Sequence, residues 1–94
     1  MTNEILTEEW MISDIFEMKE MIDKGFDIDL KDADGDTALL REAYIGDFDK
    51  VKLLLNSGAD IYIEDCDGKD AYITAKEEGY MDIAEIIEKY ADVS

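Results

Sequence analysis

The chain carries one pattern at a step of 33 residues, and that step constrains the fold more than any other feature. Asp34-Gly35 returns as Asp67-Gly68, Gly46 as Gly79, and Gly25-x-Asp27-Ile28 as Gly58-x-Asp60-Ile61. Apolar positions keep the same step: Leu39 pairs with Tyr72, Phe48 with Met81, Val51 with Ala84 and Leu54 with Ile87. One step back, Ile15, Met18, Met21 and Ile22 match Phe48, Val51, Leu54 and Leu55. Independent positions that obey one shift in this range mark a solenoid, in which each unit buries its apolar face against its neighbours.

The unit can be read from local chemistry. Residues 36–45 predict a short helix, with Thr37 as its cap and Ala38, Leu39, Glu42 and Ala43 in its body. Gly46 breaks it, and Asp47 caps a second helix over 47–56. Phe48, Val51, Leu54 and Leu55 fall on one face of that helix. Ser57-Gly58 stops it, because glycine adopts the left-handed conformation that follows a helix end. Over 59–69, the alternation of Ile61 and Ile63 and the tip Asp65-Cys66-Asp67-Gly68 predict an extended turn or short hairpin.

These residues resemble the ankyrin-repeat family. Asp34-Gly35-Asp36-Thr37-Ala38-Leu39 is similar to the family's D-G-x-T-P-L motif, with Ala38 in place of the proline. The stretch from Gly46 to Leu55 resembles G-x-x-x-x-V-x-x-L-L, and Asn56 to Ile61 resembles x-x-G-A-D-V. Gly68 to Gly79 looks like a C-terminal repeat of the same kind. The histidine usual near the start of the first helix is Leu40 in one unit and Ile73 in the next. The resemblance implies an all-α solenoid of helix-turn-helix units joined by short hairpins. Residues 1–94 then form a single domain with repeats at about 3–30, 31–63 and 64–94. The first unit is expected to open directly with a helix capped by Thr2 or Asn3, with Leu6, Trp10 and Met11 on its apolar face. Trp10 and Met11 read as core of that cap rather than as an exposed patch. Glu88 stands where Leu55 and Ile22 stand in the other units, a polar substitution suited to the outer face of a terminal repeat. The sequence is therefore expected to be a whole protein capped at both ends.

Charge excludes several function classes. The chain has 26 Asp plus Glu against 9 Lys plus Arg, a net charge of −17, and no His. Nucleic acids and anionic membranes require a basic footprint, so direct binding to either is not expected. A hydrophobic fraction of 47% is ordinary for a folded domain and separates the chain from disordered acidic tails. The start, Met1-Thr2-Asn3-Glu4, has no basic region followed by an apolar one, and the longest aliphatic run is Leu53-Leu54-Leu55. With Cys66 as the single cysteine, these features predict an intracellular, cytoplasmic protein, and a monomer.

No constellation points to catalysis or to a cofactor. The Asp-rich stretch around Gly35 and Gly68 suggests a calcium loop, but the EF-hand register puts Leu30 or Ile63 at the first ligand position. The last ligand position falls on Arg41 or Thr74. Cys66 has no His to activate it and sits between Asp65 and Asp67. Carboxylate pairs arise by chance among so many acids, so neither a metal site nor an enzyme is expected.

A binding module remains. The family resemblance implies that hairpin tips and the ends of the first helices form a protein-binding surface. At the tips this places Ala33, Asp34 and Asp36 beside Cys66, Asp67 and Lys69. At the helix ends it places Met11 and Ile12, then Tyr44 and Ile45, then Glu77 and Glu78, with Lys31 and Glu64 on the connecting segments. An apolar anchor in an acidic rim steers basic proteins. The sequence thus predicts an acidic inhibitor or immunity-type protein acting on a basic partner such as a nuclease. The alternative is an adaptor that recruits its partner without inhibiting it. Alternate Asp residues on an extended tip would stand ~6.6 Å apart, two strand steps of ~3.3 Å. That spacing is near the phosphate repeat of a nucleic-acid strand, so mimicry of nucleic acid is a further expectation.

Overall fold

Four helix starts are set by one device, a side-chain oxygen that accepts the N–H three residues on. In the computed structural model, which describes residues 14–93, Asp14 takes the N–H of Glu17 at 2.9 Å and starts α1, Ile15–Asp23. Thr37 takes that of Leu40 at 3.3 Å and starts α2, Ala38–Ile45. Asp47 takes that of Lys50 at 3.1 Å and starts α3, Phe48–Asn56. Asp70, one step of 33 after Thr37, takes that of Ile73 at 2.9 Å and starts α4, Ala71–Glu77. Each such cap contributes ~1 kcal/mol by satisfying a donor that the helix leaves orphaned. The fifth helix, α5, Met81–Val93, breaks the rule. Tyr80 occupies the position equivalent to Asp47, and its ring is used for packing instead.

The stops are equally regular. α3 ends at Ser57 with Gly58 at φ +93°, and the N–H of Ala59 closes back on the Leu54 carbonyl at 3.0 Å. A β-carbon is disfavoured in that left-handed conformation, which is why glycine recurs there.

The helices form two rows. α2 packs on α4 in one row, and α3 packs on both α1 and α5 in the other. α2 also packs on α3, and α4 on α5, which ties the rows together. The core between them is Met18, Leu39, Val51, Leu54, Ile83 and Ile87, with Ala38, Ala43, Ala71 and Ala75 where helices approach closely. Burying each of the larger side chains contributes roughly 1.5–3 kcal/mol. The described residues are helices and turns without a strand, so the fold is all-α as the sequence predicts.

Of the two expected forms, extended turn or short hairpin, the connecting segments take the turn. Ile61 and Ile63 do alternate, half-buried, with exposed Tyr62 and Glu64. The tip is held by two backbone bonds, Asp65 N–H to the Lys69 carbonyl at 2.9 Å and Gly68 N–H to the Asp65 carbonyl at 3.0 Å, with no ladder behind them. The Asp65 carboxylate takes over the other donors, accepting the N–H groups of Asp67 at 2.9 Å and Lys69 at 3.0 Å. Asp32 repeats this arrangement with Asp34 and Asp36, both at 2.9 Å. The tips are carboxylate-closed turns, so the strand spacing behind the expected phosphate mimicry does not apply to them.

Candidate functional site

The candidate surface is built from two adjacent tips and the C-terminal ends of α2 and α4. The segments leading to the tips are joined directly: the Asp60 N–H donates to the Asp29 carboxylate at 2.9 Å. The tips also sense one another. The Asp36 carboxyl is pushed above its usual range, first by burial and then by Asp32, by Asp65 of the next tip and by Asp34, while Arg41 opposes the shift.

The predicted site residues fall into distinct environments. Asp34 and Asp67 are exposed at the tips, and Lys31 and Glu64 are exposed on the connecting segments. Asp36 and Lys69 are half-buried. Tyr44 and Ile45, at the end of α2, are 62% and 54% exposed. Glu77 and Glu78 are the exposed equivalents at the end of α4. Met11, Ile12 and the expected first helix with Trp10 lie outside the described residues. Lys69 and Glu77 meet: the ammonium donates to Glu77 Oε1 at 2.8 Å. That hydrogen bond, followed by the Glu77 charge, raises the Lys69 ammonium above its ordinary value. The pair bridges tip and helix end and sets one of the few cations against a carboxylate at the surface.

Many acids at the tips serve the fold. Asp32 has a side chain only 1% exposed and also receives an Arg41 guanidinium N–H at 3.4 Å. Asp27 accepts from the Asp29 N–H at 3.0 Å, and Asp60 from the Tyr62 N–H at 2.9 Å. The Asp run therefore divides into turn-closing acids, at 27, 32, 60 and 65, Asp29, which ties one connecting segment to the next, and outward acids at 34 and 67. Charge counting cannot make that division. Among the described residues, no three His, Cys, Asp or Glu side chains are grouped to hold a metal ion. Cys66 is exposed with a free thiol.

Sequence reading places Glu42 simply in a helix body. In the structure it is 1% exposed, and its Oε2 has no hydrogen-bond partner. Burial pushes its carboxyl up to about 7, with Lys50 and Arg41 opposing and Asp47 adding to the shift. A signal was present: one step on, the same position is Ala75, fully buried.

The family model for ankyrin repeats (3 copies) matches residues 13–94. The chain belongs to the ankyrin-repeat family. Paired helices, left-handed glycine stops and turn tips at a constant step are the physical content of that match. As an ankyrin-repeat protein it is a module for binding protein partners. No curated protein matches the chain closely enough to name a relative. Among the described residues, no helix is long and apolar enough to cross a membrane.

Proposed function

We propose that this ankyrin-repeat protein is an acidic inhibitor or immunity-type binder of a basic partner, such as a nuclease or another nucleic-acid enzyme. The observation that carries the reading is the pair Tyr44 and Ile45, two adjacent apolar side chains left more than half exposed in a chain of net charge −17. A small apolar anchor within a field of one sign combines desolvation at the centre with fast, selective encounter by the opposite sign. Asp34, Asp67, Glu64 and Glu78 supply the rim, while Lys31, Asp36, Lys69 and Glu77 lie along it. Met11 is assigned to the same edge from its repeat position. The domain is taken as one body with units at about 3–30, 31–63 and 64–94, acting as a non-enzymatic, cytoplasmic monomer without a cofactor.

The test is capture of partners from the native host at low salt, followed by a salt titration of the purified pair. Affinity is expected to fall steeply as salt screens the rim. A partner held with unchanged affinity at high salt removes the electrostatic reading. Coexpression then separates inhibition from recruitment. An inhibitor restores growth to cells carrying a toxic partner, whereas an adaptor on the same surface leaves the toxicity in place.

A further inference from the structure

Away from the tips, a hollow of about 190 Å³ opens between the segment after α3, the start of α4 and the C-terminal part of α5. Ile61, Tyr62, Tyr72 and Ile87 give it apolar and aromatic walls, and Asp70 and Glu88 bring carboxylates to it. A second hollow of about 250 Å³ adjoins it, shares Ile61 and Tyr62 and reaches Tyr90. Tyr62 is 65% exposed and stands where the two meet. The Tyr90 hydroxyl donates to the Asn56 side chain and ties α5 to α3 beside them.

We infer that the Tyr62–Tyr72 hollow takes one Arg or Lys side chain of a basic protein partner. Its size suits one side chain, since small-molecule sites run to ~300–1,000 Å³. Its walls suit a cation with an apolar stem: aromatic faces attract guanidinium and ammonium groups, and carboxylates beside them add charge. The Tyr72 ring already shows this preference, with the Lys76 ammonium 5.2 Å from its centroid. No Lys or Arg lines the hollow among the described residues, and Glu88 makes no ion pair among them, so its carboxylate is open to an incoming cation. Two tyrosines and an open carboxylate come together at this place. The assignment rests on the basic-partner reading above and adds a second point of contact, apart from the tips.

The test is a titration of the isotope-labelled protein with a hexa-arginine peptide, read by amide chemical shifts. The counterpart in which every arginine is replaced by neutral citrulline serves as control. Shifts are expected to concentrate at Ile61, Tyr62, Tyr72 and Glu88 and to be absent with the citrulline peptide. Tyr62→Ala and the isosteric Glu88→Gln are each expected to weaken binding roughly three- to tenfold, with the remaining spectrum unchanged. Shifts confined to the tips overturn the hollow and leave the basic-partner reading standing. Equal shifts with citrulline overturn the cation assignment. Shifts at the hollow that grow with protein concentration in the absence of peptide assign it to a second copy of the chain and overturn the proposal. Absence of binding anywhere overturns both readings.

Discussion

The ring of Tyr80 lies over Gly46, so close that a β-carbon built on the glycine would fall 2.5 Å from Tyr80 Cζ. Tyr80 occupies the position where the preceding unit has the capping Asp47, one step of 33 residues earlier. The last unit has exchanged a helix cap for an aromatic contact with its neighbour, and that contact exists because residue 46 has no side chain.

Gly46→Ala therefore combines two costs. The backbone is at φ +92°, which disfavours any β-carbon, and the ring must also move. Gly79→Ala, at φ +86° with open space around it, carries the backbone cost alone. Urea denaturation is expected to show a loss of about 1 kcal/mol for Gly79→Ala and roughly 2–4 kcal/mol for Gly46→Ala. Equal losses would mean that the ring yields freely.

The two classes of tip acid separate by substitution. Asp32→Ala orphans two backbone N–H groups and an Arg41 contact and is expected to cost roughly 2–3 kcal/mol. Asp32→Asn keeps an acceptor and should cost less. Asp34→Ala, at the exposed tip, should stay within about 0.5 kcal/mol. Thermal melts of the three variants at one ionic strength rank them directly.

Glu42 gives the protein a pH dependence of known sign. Its folded-state value of about 7 lies above the ordinary carboxylate range, so the folded chain holds a proton that the unfolded chain releases. Stability falls as pH rises from ~4.5 through about 7 and levels off above, by an amount on the order of 3 kcal/mol. The raised Asp36 carboxyl acts in the same direction. Glu42→Gln removes this strongly raised carboxyl and should flatten the slope between pH 5 and pH 8 on the order of that amount. A variant as steep as the parent would show that burial of Glu42 does not set the dependence.

Tyr44 and Ile45 are predicted to matter for binding and little for folding. Tyr44→Ala and Ile45→Ala should each change stability by less than about 0.5 kcal/mol, since both side chains are largely in solvent. Each should weaken the partner complex about tenfold or more, the effect of losing ~1.4 kcal/mol at an interface anchor. Calorimetric titration with the captured partner reads the effect.

Much of the architecture was legible from residue types alone. Thr37 and Asp47 announce helix starts, Gly46 and Gly58 announce stops, and the apolar step assigns Val51 and Leu54 to the core. These are properties of a few neighbouring residues, so sequence carries them. The candidate edge was less legible. Tyr44 and Ile45 could be placed at a helix end by repeat position, but their exposure depends on what α4 leaves uncovered. Residue types left turn and hairpin both open at 59–69, and the turn prevails because the Asp65 carboxylate satisfies backbone donors that a strand pair would otherwise share. The Tyr62–Tyr72 hollow was not legible at all, since its walls come from three separate elements.

By itself the sequence determined the 33-residue step, the helices with their caps and stops, and a net charge of −17. Tertiary structure decided which acids are spent closing turns and which face outward, that Glu42 is buried with an unpartnered oxygen, that Lys69 answers Glu77, and that Tyr80 fills the space above Gly46. The division has a physical cause. A cap or a stop is settled within one turn of chain, whereas desolvation and ring packing are settled by neighbours brought close only when the units stack.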